Sequence, residues 1–482
     1  MLDDLIAERR KKLEKIKEAG LNAYPSSSER TMAIAEAREK FAALEKSGKK
    51  ISLAGRLTAM RDQGNIVFLD LADESGKLQL VFKKDSLPNL DFYRSVLDIG
   101  DFVSASGVLF KTKKGEESLE AKDVRILAKA IRPLPSEWYG LADTEDRLRE
   151  RYLDLLINEG TKDIFRKKAI FWKTFRDFLE KEGFLEVQLP VLESVPGGAE
   201  AEPFKTHHNA LDTDFYLRIS LELPLKKLLV GGFEKVFEIG RVFRNEGIDK
   251  EHLQDYTQLE FYWAYSDYNE LMVFVEKMYK EVIKATCGTL KTKFGDKEID
   301  WSKKWPKIDY VEAFKKANGL DATEASRDAL LKKAKELKLE VEKNAGKGRL
   351  IDLIYKKTVR PNLVQPCFLI NPPVEIEPLA KRKEGNPKVV ERMQVMAGGT
   401  ELGKGFSELN DPADQRARFE EQEKARAAGD KEAQRLDEDF VEALEYGMPP
   451  AAGFGVSERL FSVLMDKPVR ETVIFPLMRP KK

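Results

Sequence analysis

The chain has 482 residues, 42% hydrophobic and 34% charged, and its 83 Lys+Arg balance 83 Asp+Glu, which argues against a polybasic or histone-like protein but leaves local basic patches open. Two cysteines and three histidines exclude a disulfide scaffold and a Cys- or His-rich metal centre. No apolar run approaches the roughly 18 residues of a membrane span, and the start Met1-Leu2-Asp3-Asp4 lacks the order of a signal peptide, so the expectation is a cytoplasmic, multidomain protein.

Residues 1–50 read as a charged helical arm. Leu2, Leu5 and Ile6 recur at helical spacing, followed by Arg9, Arg10, Lys11, Lys12, Lys15 and Lys17. Pro25 and the run Ser26 to Ser28 break this helix, and a second is expected over 32–46. The arm is either a solvated amphipathic hairpin or a basic arm touching phosphates. Over 51–130 the pattern shifts to β-branched alternation in five runs, 51–60, 65–71, 77–82, 101–110 and 118–126, with a helix at 90–97. Five strands with a helix after the third predict an OB barrel, a frequent reader of single-stranded nucleic acid. Pro133, Pro135 and Gly140 mark a linker over 131–150. Residues 151–482 then mix long helices (164–182, 268–286, 327–343) with strands near 215–219, 235–239 and 257–262. The stretch 411–446 is charged and helical, interrupted at Gly429-Asp430. Without regular βαβ units, this predicts a mixed α+β domain with an antiparallel sheet rather than a doubly wound one.

Several stretches carry chemistry. Gly398 to Gly405 nearly spells a phosphate-binding P-loop, but Gly405 stands where the magnesium-binding hydroxyl belongs. The densest stretch runs from Phe237 to Tyr265: a strand, then Arg241 and Arg244, a loop with Glu246 and His252, then a second strand. Alternation on that second strand sets Gln258, Glu260 and Tyr262 on one face. Paired arginines with an aromatic at Tyr256 suit a nucleotide, though any one Arg–Glu pair is equally an ordinary cross-strand ion pair. The Gly-rich run Gly453 to Arg459 reads as a strand entering a helix, with Arg459 badly placed for the helix dipole unless it serves an anion or pairs with Glu458. Adjacent His207 and His208 point apart on a strand, which disfavours a metal pair, and Cys287 and Cys367 read as inert buried thiols.

The segments F-L-E-V-Q-L-P ending at Pro190, F-R-N-E-G around Arg244, and the run ending at Arg459 resemble the three signature motifs of class II aminoacyl-tRNA synthetases. P-G-G-A-E-A-E-P-F-K-T-H-H-N-A-L-D from Pro196, L-R-I-S-L-E-L from Leu217 and G-F-S-E-L-N-D-P from Gly405 resemble the lysyl-tRNA synthetases in particular. The resemblance covers nearly the whole chain and implies activation of lysine by ATP and its transfer to tRNA, in a homodimer. It implies that Arg244 holds the α-phosphate and the substrate carboxylate, that Glu246 and Tyr256 hold adenine, and that His252 and Arg459 hold the outer phosphates. Gly198 and Glu222 would receive the α-amino group, and Glu260, Tyr262 and Glu408 the side-chain ammonium. Glu401 would hold magnesium, and Arg61, Phe68 and Gln79 would read the anticodon; the alternative for Phe68 is barrel core. The sequence departs from the family at Gln394, where a second magnesium carboxylate is usual, and at Lys404, where an asparagine meets the amino acid; the third motif is one residue short. Lys404 would then take charge-neutralising work or hold the lysine carboxylate; the alternative is that it turns to solvent or pairs with a neighbouring acid. Two rivals are an aspartate or asparagine enzyme and a non-catalytic tRNA-binding paralogue. Glu260 with Glu408 argues against the first, and Arg244, Glu246 and Arg459 together against the second.

Overall fold

The computed structural model describes residues 2–135, 143–247, 253–342, 345–427 and 433–480. The chain divides into two compact units, with the boundary between Asp143 and Thr144.

In the first unit, β1 (Ile51–Asp62), β2 (Ile66–Asp73), β3 (Gly76–Lys83), β4 (Phe102–Lys111) and β5 (Glu117–Ala128) close a barrel in the order β1-β2-β3-β5-β4. Alternation decides which side chains enter it: Val67, Leu69 and Leu71 are buried inside, while Phe68 and Asp70 between them face outward. Helix Leu90–Val96 adds Leu90, Tyr93 and Val96 to the same core. The arm joins that core too, through Ile16, Ile34, Ala37, Phe41 and Leu44. Where one helix is expected over 32–46 there are two, Ile34–Glu39 and Phe41–Ser47, because Lys40 leaves helical geometry at φ −93°, ψ 11°. Arg9 donates to the Ala130 and Ile99 carbonyls at 3.0 Å each, and Lys12 to Asp98 at 2.7 Å. Arg9 and Lys12 are thus spent within the unit, as is Arg30 on Asp73, while Arg10, Lys11 and Lys15 stay exposed.

The second unit is built on eight strands: β6 (Leu185–Glu186), β7 (Lys235–Phe243), β8 (Asp255–Ala264), β9 (Lys307–Asp309), β10 (Cys367–Ile370), β11 (Arg392–Ala397), β12 (Thr400–Ser407) and β13 (Ala451–Ser457). Their order is β9-β10-β11-β12-β13-β8-β7-β6, antiparallel except for the edge pairs β6/β7 and β9/β10. Helices Glu159–Lys181 and Tyr268–Cys287 cover one face. Phe171, Phe175 and Phe178 of the first and Val275, Met278 and Tyr279 of the second share a core with Phe237, Phe261, Phe454 and Val395 of the sheet. The Asp267 carboxylate caps the second helix by accepting from the Asn269 and Glu270 N–H groups, and Gly288 ends it at φ 73°. The helix expected over 327–343 is shorter, Arg327–Glu336, because the chain turns left-handed at Lys338, φ 55°. Gly398 and Gly399, at φ 64° and 79°, make the hairpin turn between β11 and β12. The near-P-loop sequence is therefore a strand connection, with no helix after it to receive a phosphate. Gly140 and Gly429-Asp430 lie outside the described residues.

Candidate functional site

The strand registers place one row of residues straight across the sheet. Glu238 opposes Glu260, Glu260 opposes Gly455, Gly455 opposes Lys404, and Lys404 opposes Gln394. Directly opposed residues share a face. Phe237, Phe261, Phe454 and Val395, one position out of step, point into the helix-covered core, so the polar row faces the other way. A cavity of about 730 Å³ lies there, lined among others by Gly198, Glu222, Glu260, Tyr262, Gln394, Glu401 and Lys404. A second, of about 460 Å³, adds Glu246 and shares Arg244, Tyr256 and Arg459 with the first. Residues separated by up to 261 positions, Gly198 to Arg459, are thereby brought to one place.

At one end the groups suit an anion and a flat ring. Arg244 leaves β7 with its N–H donating to the Gln254 carbonyl at 2.8 Å and Nε donating to the Ile219 carbonyl at 3.3 Å. Its guanidinium carbon stands 5.6 Å from the Tyr256 ring centroid. Burial raises the Tyr256 hydroxyl above its ordinary pKa, with Arg244, Glu246 and Arg459 all within electrostatic reach. Arg459 lines both cavities, and its N–H donates to Ser457 Oγ at 3.3 Å. Glu458 has other partners: it accepts from Lys168 Nζ at 2.7 Å and from the Thr257 N–H at 3.0 Å. His252 lies outside the described residues.

The other end is acidic and enclosed. Glu260 is buried and accepts from Ser220 Oγ at 2.8 Å, Gln258 Nε2 at 2.7 Å, the Leu221 N–H at 3.1 Å and the Tyr262 hydroxyl at 3.1 Å. Glu222 heads helix Glu222–Val230 and is bonded at 2.6 Å by Lys226, one turn on. Lys226 also pairs with Glu408. Burial pushes these carboxyl groups up, reinforced by neighbouring glutamates at Glu222 and Glu408: Glu222 to about 7, Glu260 above its ordinary range, and Glu408 well above it. Two glycines shape this end. A Cβ at Gly198, φ 81°, would lie 2.9 Å from the Glu222 Cβ. A Cβ at Gly453 would lie 2.3 Å from both Glu408 Oε1 and the Tyr262 ring. Glu408 sits behind the cavity wall at Gly453, and the missing side chain there leaves its carboxylate within reach of the cavity.

Between the two ends lies a charged cluster. The Lys404 ammonium is 3.0 Å from Glu377, which Arg392 also meets at 3.1 Å. Burial works against the Lys404 charge, but Glu377 and Glu401 outweigh it and hold the ammonium above its ordinary pKa. The Gln394 amide is used at both ends: its nitrogen donates to Glu401 and its oxygen accepts from Arg392 at 2.9 Å. Among the described residues no three His, Cys, Asp or Glu gather as a metal cage. The donor set fits an octahedral magnesium that takes one carboxylate, Glu401, and draws its remaining ligands from phosphate and water.

On the barrel, Arg61 opposes Phe68 and Gln79 opposes Asp70, which sets Arg61, Phe68 and Gln79 on one outward patch. Arg61 reaches Asp70 at 3.3 Å, and Gln79 Oε1 accepts from Ser118 at 3.0 Å. His207 is 3.0 Å from Asp214, and His208 packs at the Phe215 ring, 5.9 Å between centroids; both are exposed. Burial raises both thiols, Cys367 to about 12.

Sequence reasoning missed Lys226, Glu377 and Arg392. Lys226 carried a signal, its i+4 spacing from Glu222. Glu377 carried none, since only the sheet brings it to Lys404, 27 positions later.

Residues 143–479 match the family model described as tRNA synthetases class II (D, K and N), and residues 51–134 match an OB-fold nucleic acid binding domain. A lysine–tRNA ligase from Moorella thermoacetica is 46% identical, covering 100% of this chain and 99% of its own length. Lysine–tRNA ligases from Thermotoga maritima and Roseiflexus castenholzii are each 42% identical, covering 100% of this chain and 97% and 100% of their own.

Proposed function

We propose, from the premise that this chain belongs to the class II tRNA synthetases (D, K and N), that it is a lysine–tRNA ligase, activating lysine with ATP and transferring it to tRNA. One observation carries the amino acid assignment: buried Glu222 and Glu260 line one end of the cavity, and buried Glu408 stands behind its wall at Gly453. An enclosed acidic pocket selects ammonium groups and penalises the carboxylate of aspartate or the neutral amide of asparagine.

In the first step a lysine carboxylate oxygen attacks the α-phosphorus and the bond to pyrophosphate breaks. In the second a tRNA terminal hydroxyl attacks the lysyl carbonyl and AMP leaves. No protein nucleophile is needed, and the residues act by positioning and by neutralising charge. Arg244 bridges the substrate carboxylate and the α-phosphate. Tyr256 stacks on adenine while Glu246 accepts from its amino group, and Arg459 with His252 holds the outer phosphates. Gly198 and Glu222 receive the α-ammonium, and Glu260, Tyr262 and Glu408 the side-chain ammonium. Lys404 lies toward the carboxylate and phosphates. Magnesium held by Glu401, with Gln394 beside it, supplies further charge neutralisation when bound. Arg61, Phe68 and Gln79 read the anticodon from the barrel of residues 51–130, supported by the arm 1–50; residues 131–150 link it to the catalytic part, 151–482. No helix among the described residues is long and apolar enough to cross a membrane, and we place the enzyme in the cytoplasm.

Amino-acid-dependent ATP–pyrophosphate exchange tests this reading. Lysine alone among the twenty amino acids should support strong exchange, and Arg244→Ala should lose about 2.7–4 kcal/mol of transition-state stabilisation with an unchanged circular dichroism spectrum. Faster exchange with aspartate or asparagine would sink the lysine assignment.

A further inference from the structure

A lysine fully buried in the wall of a lysine pocket requires a reason, because an enclosed ammonium is costly unless carboxylates surround it. Lys226 has no exposed surface. It is 2.6 Å from Glu222, it pairs with Glu408, and the rings of Phe406, Phe440 and Tyr262 stand 5.3, 5.9 and 6.0 Å from its nitrogen. It links Glu222 and Glu408, two of the three carboxylates, the third being Glu260. Three ionised carboxylates carry three negative charges, and one resident ammonium leaves two. Free lysine brings two ammonium groups.

We propose that Lys226 is a specificity-determining positioning residue, a built-in ammonium that trims the pocket to two negative charges so that a substrate with two ammonium groups neutralises it. The inference rests on the lysine ligase reading above. Lys226 acts through Glu222 and Glu408, both of which its ammonium meets. An amino acid with a single ammonium leaves one buried carboxylate to be covered by a proton.

The same count governs protons. In the empty pocket burial, with repulsion added at Glu222 and Glu408, holds all three carboxyl groups above their ordinary range, so arriving ammonium groups displace protons to solvent. The charged groups in reach are Lys226, Glu260 and Lys404 around Glu222, Arg244 around Glu260, and Lys226, Glu222 and Glu377 around Glu408. Without Lys226 one more negative charge is balanced by a proton, and that proton stays when lysine binds, because two ammonium groups neutralise only two of the three carboxylates.

Infrared difference spectra of the full-length protein with and without L-lysine at pH 7 report protonated carboxyl groups by their C=O stretch. Lys226→Met keeps the length of the stem. It should weaken lysine binding by about tenfold or more, the effect of about one pKa unit, and its lysine complex should retain one protonated carboxyl more than the parental complex. Lys226→Met combined with Glu408→Gln restores the two-charge surplus, so its lysine complex should match the parent even where affinity stays low. A Lys226→Met complex with no additional protonated carboxyl, whatever happens to affinity, overturns the proposal. If that variant fails to fold, the double variant decides alone: an additional protonated carboxyl in its lysine complex overturns it equally. A parent that neither binds lysine nor exchanges with it removes the ligase reading instead.

Discussion

At the residue scale, the departures Gln394 and Lys404 prove to be cross-strand partners, opposed on β11 and β12 and joined through the buried pair Glu377 and Arg392. Lys404 is anchored by Glu377, and Gln394 is locked between Arg392 and Glu401. A glutamine oxygen that already accepts from a guanidinium is a poor magnesium ligand, and magnesium prefers carboxylate. The cavity wall therefore presents a neutral amide at position 394, where a second carboxylate would recruit a metal ion, and opposite it an ammonium held by Glu377. Lysine is a workable point charge at phosphate, though less directional than arginine. Lys404→Asn is expected to slow adenylate formation about tenfold, equivalent to about 1.4 kcal/mol, and to raise the magnesium concentration required. Adding Gln394→Glu should restore the rate by rebuilding a carboxylate pair with Glu401. Magnesium titrations of exchange on the single and double variants check this, and a Lys404→Asn protein with parental rate and magnesium dependence would show that the ammonium only pairs with Glu377.

At the scale of elements, the small sheet in which strand Leu192–Glu193 pairs with strand Thr213–Leu217 carries a pH-sensitive group. Burial raises the Glu193 carboxyl from 4.5 to about 8, and its Oε2 has no hydrogen-bond partner. A raised carboxyl binds its proton more tightly in the folded protein. Its stabilising contribution is complete below about pH 4.5 and is lost as pH climbs through about 8. The loss is at most about 1.4 kcal/mol per pH unit across that window. Glu193→Gln should flatten this slope, so urea unfolding of parent and variant should diverge between pH 5 and pH 8; parallel curves would contradict it. On the barrel, Phe68→Ala and Gln79→Ala should weaken tRNA binding by about 1–3 kcal/mol, the scale of a lost base stack, while leaving exchange unchanged. Filter binding with cognate tRNA measures the first and exchange the second; equal loss of both would place these residues in a structural role. The barrel was legible because alternation with period two fixes strand faces; the face of Phe68 stayed open in the sequence, and the structure turns it outward from Val67 and Leu69. The β8 face of Gln258, Glu260 and Tyr262 was legible for the same reason. The break at Lys40 and the early end at Glu336 were not, since propensity hardly distinguishes a helix from two short ones packed against a barrel. Contacts that depend on strand order, such as Glu377 with Lys404, leave no trace in local pattern.

At the scale of the whole molecule, the catalytic sheet ends on an exposed edge. β6, the strand Leu185–Glu186, pairs only with β7. Around it the apolar side chains Leu185, Leu192, Phe233 and Tyr265 are 49%, 47%, 46% and 68% exposed, and they come from segments adjoining β6, β7 and β8. An uncovered strand edge with apolar neighbours invites pairing with another chain unless something shields it. Among closed assemblies a two-fold dimer is the commonest, and it buries the same patch on both copies. We therefore propose a homodimer through the β6 edge, including the segment that runs to Pro190. Its consequence is geometric. β6 continues into residues 187–193 and the loop at Gly198, and Gly198 forms part of the cavity wall beside Glu222. Dimerisation would hold that loop from outside and keep the α-ammonium subsite in shape. Leu185→Lys with Phe233→Lys places two charges per copy on the patch and should convert the dimer to a folded monomer with weakened lysine binding. Analytical ultracentrifugation at micromolar concentration gives the mass, and exchange kinetics give the KM for lysine. A parental protein that sediments at the mass of one chain while fully active would remove the dimer from the mechanism, and a monomeric variant with parental KM would show that the loop at Gly198 holds its shape unaided.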